Sequence, residues 1–467
     1  MTETLLAKDQ RSLFHAVSSI ADTAKAGPFV LSGGKGSTVT DEHGRDYLDM
    51  GAGLWCVNIG YGREEVADAV AEATRKLSFQ HLFGGAASTP AIELADRLLA
   101  LFRARANAPH MARVFFGSSG SDANDTAYKM VLYYHNLIGK PDKKKVISRH
   151  GAYHGLTYAA GSLTGIPAYH KAFDMPALDM LHVDAPHYYR GARPGESAAD
   201  FAARKVAELR ATIEREGPET IAAFWAEPVM GTGGVIPPPQ GYFEGVQQLL
   251  SEHDILFVVD EVITGFGRTG EWFGTGRYGL KPDIVNLAKG LTSAYQPLSA
   301  TIIGDRIWNV LESTSPDVGA FMHGFTYSGH PVCCAAALAV LEIMEREEIV
   351  DPVAARSERL LSGLKARLEG YPFIGDIRGA GLMVGIEYLA DPATKRDFAG
   401  MAGHKIVAGH ARDEGVLSRA LPWMPVTAFS PPLVITDAEL DEAIERYARG
   451  AERALPQLES AAAANAP

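Results

Sequence analysis

The sequence predicts an α/β protein: a large domain with a mostly parallel central sheet flanked by helices, plus a smaller composite α/β domain. Three stretches carry that expectation. Residues 255–259 (ILFVV) are a continuous apolar run rich in β-branched residues, the pattern of a strand buried on both faces, and the run stops on the acidic pair Asp260 and Glu261. Residues 283–288 form a second such run and deliver Lys289 just before Gly290. Residues 114–117 form a third, which passes through Ser119, Gly120 and Ser121 into a helix beginning near Asp122. Open α/β sheets bind ligands at the carboxyl ends of their strands, so neighbouring strands would turn a carboxylate and an amine toward one cleft.

The other elements follow in chain order. Residues 28–50 alternate short apolar runs with Gly and Asp-Glu-His-Gly turn signals, as antiparallel hairpins do. In residues 51–62 (GAGLWCVNIGYG) the glycines allow close backbone approach, and Trp55 suits either a pocket wall or the core. Helical periodicity covers 63–77, with Val66, Val70 and Ala73 on one face, and again 90–102, with a loop (FQHLFGGAAS) between. Residues 145–149 (KVISR) read as a strand leading to Tyr153 and His154, which suit ring stacking or a buried hydrogen-bonded pair. Residues 160–200 show little periodicity and read as a long surface connection. Residues 201–216 read as a helix closed by Gly217 and Pro218. Residues 221–226 read as a strand ending in Glu227-Pro228, and the turn MGTGG with Thr232 follows. A strand over 300–304, an apolar helix from Cys333 and two strands over 374–378 and 382–388 complete the pattern. The tail SAAAANAP has no packing pattern and reads as disordered. No repeat or linker divides the chain, so the smaller domain is composite: residues 1–75 and 335–467 around a large domain of 76–334.

Composition narrows the class. A chain of 467 residues is too long for one compact core, and 46% hydrophobic content is ordinary for a globular protein. Mean hydropathy of -0.04 and the absence of a long apolar run argue against a membrane-spanning helix, and MTETLLAKDQRSLF lacks a secretory signal's apolar stretch. The three cysteines, Cys56, Cys333 and Cys334, show no metal-ligand spacing and are too few for a disulfide framework, which implies a cytoplasmic setting and no metal. A net charge of -12 gives no footprint for nucleic acid or an anionic membrane, and the run Lys143 to Lys145 reads as a solvated loop face.

The paired acid and amine have a specific use. A lysine whose pKa is lowered by an apolar pocket condenses with an aldehyde to form a Schiff base, and an aspartate keeps a pyridine nitrogen protonated so that the ring withdraws electrons. Pyridoxal phosphate needs both groups. From these stretches alone, the alternative is that Asp260 caps a helix and Lys289 lies on the surface.

The string VVDEVITGFGRTG, followed by KPDIVNLAKGLTSAYQPLSA, resembles the signature of the class III pyridoxal-phosphate aminotransferases of fold type I. More narrowly it is similar to the omega-amino acid and amine:pyruvate transaminases, over about residues 34–436. The resemblance implies pyridoxal 5'-phosphate as cofactor, with Lys289 and Asp260 catalytic and the phosphate on Ser119, Gly120 and Ser121. It further implies Tyr153 on the ring, Glu227 near the ring hydroxyl and Val262 among the cofactor contacts. Phe325 and Thr326 would reach the phosphate of a second subunit, in a homodimer with shared sites or a tetramer. Trp55, Phe83, Thr232 and Arg419 would meet substrate, Arg419 by pairing with a carboxylate, unless it makes an exposed surface pair instead. Trp225 departs from the family, replacing the smaller residue usual before Glu-Pro. The implied reaction is ping-pong transfer of an amino group from an amine or an omega- or beta-amino acid to pyruvate or another α-keto acid. A decarboxylating transaminase or an aminomutase would keep the same lysine and aspartate and stands as the alternative.

Overall fold

The computed structural model describes residues 4–464. Three sheets organise it. β1 (Leu31–Lys35), β2 (Thr38–Asp41) and β3 (Asp46–Asp49) form an antiparallel meander, as the turn signals over 28–50 predict. The β2–β3 turn closes on Asp41, whose Oδ1 accepts from the backbone N–H groups of His43 and Arg45, both at 2.9 Å.

The central sheet has seven strands: β4 (Met111–Gly117), β5 (Lys145–Arg149), β6 (Met180–Val183), β7 (Ile221–Ala226), β8 (Leu256–Asp260), β9 (Ile284–Leu287) and β10 (Ser299–Gly304). Their spatial order is β4-β10-β9-β8-β7-β5-β6, with β10 antiparallel to both its neighbours and the other pairings parallel. Every residue of β7, β8, β9 and β10 is buried, which is why these strands appear as unbroken apolar runs rather than alternating ones. Helices such as Gly120–Leu137, Ala198–Glu216 and Tyr242–Glu252 form the crossovers that parallel strands require. All the parallel strands therefore end at one edge, where Gly117, Arg149, Ala226 and Asp260 stand together and β9 leads into Lys289.

The third sheet joins β11 (Ile374–Gly379) and β12 (Val384–Tyr388) to β14 (Arg419–Ala420) and β15 (Val426–Phe429), while β13 (Val416–Leu417) pairs in parallel with β3. Between β13 and β14 the chain crosses from the first sheet to the third within one residue, so Arg419 is fixed on both sides of the crossing. Arg268, fully buried, ties the same region together by donating to Asn58 Oδ1 at 2.8 Å and to the carbonyls of Leu382 and Pro431.

Three expectations are corrected. The run Lys143 to Lys145 is not a solvated loop face: Lys143 is buried, its Nζ donating to the carbonyls of Ile221 at 3.0 Å and Asp254 at 2.8 Å, and Lys145 opens β5. Residues 160–200 are not only a surface connection: they contain the edge strand β6 and the buried Ala160, Leu163 and Ile166. Elements of four to six residues are too short to display a period. The tail is helical through Ala463, because the capped helix Asp437–Ala463 simply continues across Ser460, and Asn465 to Pro467 of the expected disordered segment lie outside the described residues.

Candidate active site

At the carboxyl edge of the central sheet a cavity is lined by Lys289, Asp260, Tyr153, Glu227, Thr232 and Arg419, with Gly120, Ser121 and Val262 on the side of the long helix. Eight strand-end and loop expectations thus converge with Arg419 on one space. Ser119 stands just outside as the cap of helix Gly120–Leu137, in a reciprocal box with Asp122, and Asp122 also accepts from Ser299 Oγ at 2.8 Å. That box fixes the turn, so the first N–H groups of an 18-residue helix point at the cavity. The turn is tightly backed: a side chain at Gly155, whose φ is +125°, would put a Cβ 2.4 Å from Ser121 Oγ.

Asp260 is buried and fully oriented. Its Oδ1 accepts from Val262 N at 3.0 Å, and its Oδ2 lies 2.8 Å from His154 Nδ1 and 3.0 Å from Asn124 Nδ2. Glu227 accepts from the backbone of Tyr153 at 3.2 Å and of Gly231 at 2.9 Å, which spans the cavity floor between two loops. Burial raises the Glu227 carboxyl above its ordinary range, against the opposing influence of His154 and Arg149. The Tyr153 ring meets Tyr169 edge-on at 5.6 Å.

Lys289 has a positive φ of 42°, unusual for a side chain with a Cβ, at the start of the short turn Lys289–Leu291. The turn survives because Gly290 packs directly on Asn58, where a Cβ would come within 2.6 Å of the amide. The Lys289 ammonium makes no hydrogen bond or ion pair to a described residue. Desolvation lowers its pKa, while Cys56 and Asp260 oppose that shift and Arg419 adds to it. Arg419 likewise makes no hydrogen bond or ion pair to a described residue, and burial lowers its pKa too.

Trp55 and Phe83, expected to meet substrate, lie outside this cavity, as do Phe325 and Thr326, which are expected at a partner subunit's site. Trp55 is 1% exposed in an apolar cluster with Val229, Val235, Ile263 and Met383, and Leu54 lines the cavity in its stead. Phe83 is 50% exposed beside Gly324, and neither Phe325 nor Thr326 lines the cavity of its own chain. Sequence reasoning missed Asn124, the amide that meets Asp260; its only signal was a polar residue four positions after Gly120 on a helix face that is otherwise buried. Among the described residues no cluster of His, Cys, Asp or Glu could hold a metal ion, and no helix is long and apolar enough to cross a membrane.

The site fits a phosphorylated pyridine aldehyde: an unpartnered lysine, a carboxylate with its orientation fixed, and a glycine-backed helix N-terminus. A fold and site of this kind define a pyridoxal-phosphate enzyme, and comparison with known proteins says which kind. A family model described as aminotransferase class-III matches residues 20–449. The chain is 44% identical over 460 residues to the diaminobutyrate--2-oxoglutarate transaminase of Halomonas elongata, covering 97% of each. It is 46% identical over 421 residues to the mitochondrial gamma-aminobutyrate transaminase 1 of Oryza sativa subsp. indica, covering 90% of this chain and 80% of the relative. Among solved structures, the omega transaminase of Pseudomonas jessenii in complex with PMP matches with a TM-score of 0.93 and 41% identity, over 98% of this chain and 99% of that one. The chain belongs to the class III aminotransferases, with the fold type I architecture of that family. Its cofactor is pyridoxal phosphate, and its substrates are small-molecule amino donors and keto acids.

Proposed function

We propose that this enzyme is an omega-transaminase that passes an amino group from an amine or an omega- or beta-amino acid to pyruvate, in a ping-pong cycle at sites shared by two subunits. Arg419 carries the reading. Besides Lys289 it is the one Lys or Arg side chain among the described residues lining the cavity, and its guanidinium has no protein partner. A keto acid with one carboxylate satisfies it; an acceptor with two leaves an anion without a cation, at a desolvation cost of several kcal/mol, roughly. Leu54, Val229 and Ile263 give the wall an apolar stretch, with Trp55 packed behind it, which suits the uncharged arm of an amine.

The bound cofactor supplies an aldehyde that condenses with the amine and a protonated ring that accepts the electron pair of the broken C–H bond. The residues do the rest. Asp260 holds the proton on the ring nitrogen. Lys289, whose pKa burial lowers, would take the proton from the substrate carbon and deliver it to the carbon of the cofactor that carried the aldehyde. The helix N-terminus and Ser121 hold the phosphate. Phe325 and Thr326 complete the phosphate site of a partner subunit, and Phe83 lies against that loop. The small domain in this reading comprises residues 1–75 and 335–467, and the setting is cytoplasmic.

The test is a donor and acceptor panel on purified holoenzyme: a simple arylalkyl amine, 4-aminobutyrate and 2,4-diaminobutyrate, each with pyruvate or 2-oxoglutarate. Alanine forming from pyruvate with the arylalkyl amine is expected. Turnover with 2-oxoglutarate alone would reject the pyruvate assignment, and carbon dioxide released in step with alanine would indicate a decarboxylating transaminase instead.

A further inference from the structure

A buried polar relay lies behind Asp260. Asn124, 1% exposed, donates from Nδ2 to Asp260 Oδ2 at 3.0 Å and lies within reach of the carbonyls of His154 at 2.8 Å and Gly120 at 3.0 Å. Its Oδ1 accepts from Trp225 Nε1 at 2.7 Å and from Asn286 Nδ2 at 2.8 Å. Asn286 Oδ1 in turn accepts from Thr301 Oγ1 at 2.9 Å. Trp225, Asn286 and Thr301 stand on β7, β9 and β10 and are essentially inaccessible to solvent. The relay thus runs from β10 across the sheet to the carboxylate at the end of β8.

This arrangement has one amide orientation. Trp225 has an N–H and no acceptor, so it can meet only the Asn124 oxygen. Flipping the Asn124 amide would set donor against donor at Trp225 and an oxygen against three acceptors, one of them a carboxylate. Each buried mismatch costs about 1–3 kcal/mol, so the flipped state is excluded. With the amide locked, Oδ2 of Asp260 is held by His154 and Asn124, and Oδ1 keeps one lone pair beyond its bond to Val262 N. Asp260 and Val262 both line the cavity, so that lone pair is the one available to a ligand.

We infer that Trp225 and Asn286 are positioning residues, which lock the Asn124 amide so that Asp260 presents a correctly aimed oxygen to the ring nitrogen of the cofactor. Trp225, whose Nε1 donates to Asn124 Oδ1 at 2.7 Å, is then a working part of the ring-nitrogen site. The titratable groups around Asp260 are His154, Glu227, Lys289 and Tyr153, and substitutions in the relay leave all four in place.

The experiment uses holoenzyme reconstituted with pyridoxal phosphate labelled with 15N in the ring. The ring-nitrogen chemical shift is followed against pH for the parent and for Trp225→Phe, which keeps the ring and loses the N–H, together with Asn124→Leu. In Trp225→Phe the midpoint at which the ring nitrogen loses its proton should fall by about 0.5 to 1 pH unit, the equivalent of one net hydrogen bond. Its kcat should fall about three- to tenfold, for the same reason, while KM for the amine holds. Asn124→Leu, where it folds, should shift the midpoint further. A Trp225→Phe holoenzyme with the parent's ring-nitrogen titration overturns the inference, whatever happens to its melting temperature, because a merely structural role would change stability and leave the nitrogen's proton alone.

Discussion

Replacing Arg419 by Ala separates the two kinds of substrate. The guanidinium lies on the cavity wall with no hydrogen-bond or ion-pair partner among the described residues, its backbone fixed by the crossing between β13 and β14 and by pairing of Arg419 with Ala428 in β15. In the proposed role a substrate carboxylate would accept two parallel charge-assisted hydrogen bonds from it, each worth about 1.5–3 kcal/mol in a protein setting. Taking the lower figure twice gives about 3 kcal/mol, or roughly 150-fold in kcat/KM. The assay follows the two half-reactions separately by the visible absorbance of the cofactor: donor with the aldehyde form, acceptor with the amine form. Arg419→Ala should lose about 150-fold with pyruvate and with alanine, by the same arithmetic, and stay within about threefold with an arylalkyl amine, which never used the cation. Arg419→Lys should recover only part of the loss, because an ammonium offers a point charge in place of the planar fork. Equal losses for alanine and the arylalkyl amine would refute the reasoning and return Arg419 to a structural role.

Lys289→Ala should lack the visible band given by the cofactor bound to lysine and should not turn over; full turnover would refute the assignment of that residue, as absorbance and product assays will show. For Glu387, burial alone would raise the carboxyl, but His187, Arg378 and Arg190 outweigh it and hold it at about 2, below the ordinary 4.5. A depressed carboxyl stabilises the fold fully above the ordinary value and less as pH falls toward the folded one, so about 3 kcal/mol is lost on acidification from roughly 4.5 to 2. Glu387→Gln should therefore be less stable at neutral pH and flatter across that window in urea melts, whereas a parallel curve would contradict the ion-pair account. Dilution that yields monomers should release cofactor, read by ultracentrifugation at the cofactor's wavelength; a saturated, fully active monomer would count against shared sites.

The parts of the site legible in the sequence are those where one element ends abruptly on a polar residue. Asp260 and Lys289 stood out because four- and five-residue apolar strands can only be followed by a few kinds of turn, and the residue at the break must face the sheet's edge. The turn from Gly117 through Ser121 was legible for the same reason. What was not legible depended on direction rather than position. Trp55 and Leu54 are adjacent, and nothing in residue type says which faces the cavity; the positive φ of Ala52, Gly53 and Trp55 turns the tryptophan inward and leaves the leucine on the wall. The edge strand β6 escaped because four residues show no period. Asn124 escaped because a helix interior hides which polar residue faces a partner until the sheet beneath it is known.

The pair Asp260-Glu261 shows how far a motif can be divided by geometry. Successive residues at a strand end point to opposite sides, so two neighbouring carboxylates enter different environments. Asp260 meets Asn124, His154 and Val262 N and faces the cavity. Glu261 turns away, accepting from Gly274 N at 3.1 Å, from Thr275 N and from the Thr264 hydroxyl, with no exposure to solvent. Burial pushes the Glu261 carboxyl up, and those donors partly restore it, so its work is to fasten the 262–275 loop to β8. That loop carries Val262, which donates to Asp260, and Ile263 and Thr264, which line the cavity. It also carries Arg268, which binds Asn58 beneath Gly290, the residue after Lys289. The second carboxylate of the motif thus holds the scaffold on which the first carboxylate and the lysine keep their separation, so a change at Glu261 would reach the chemistry through position, without altering any group that touches cofactor or substrate.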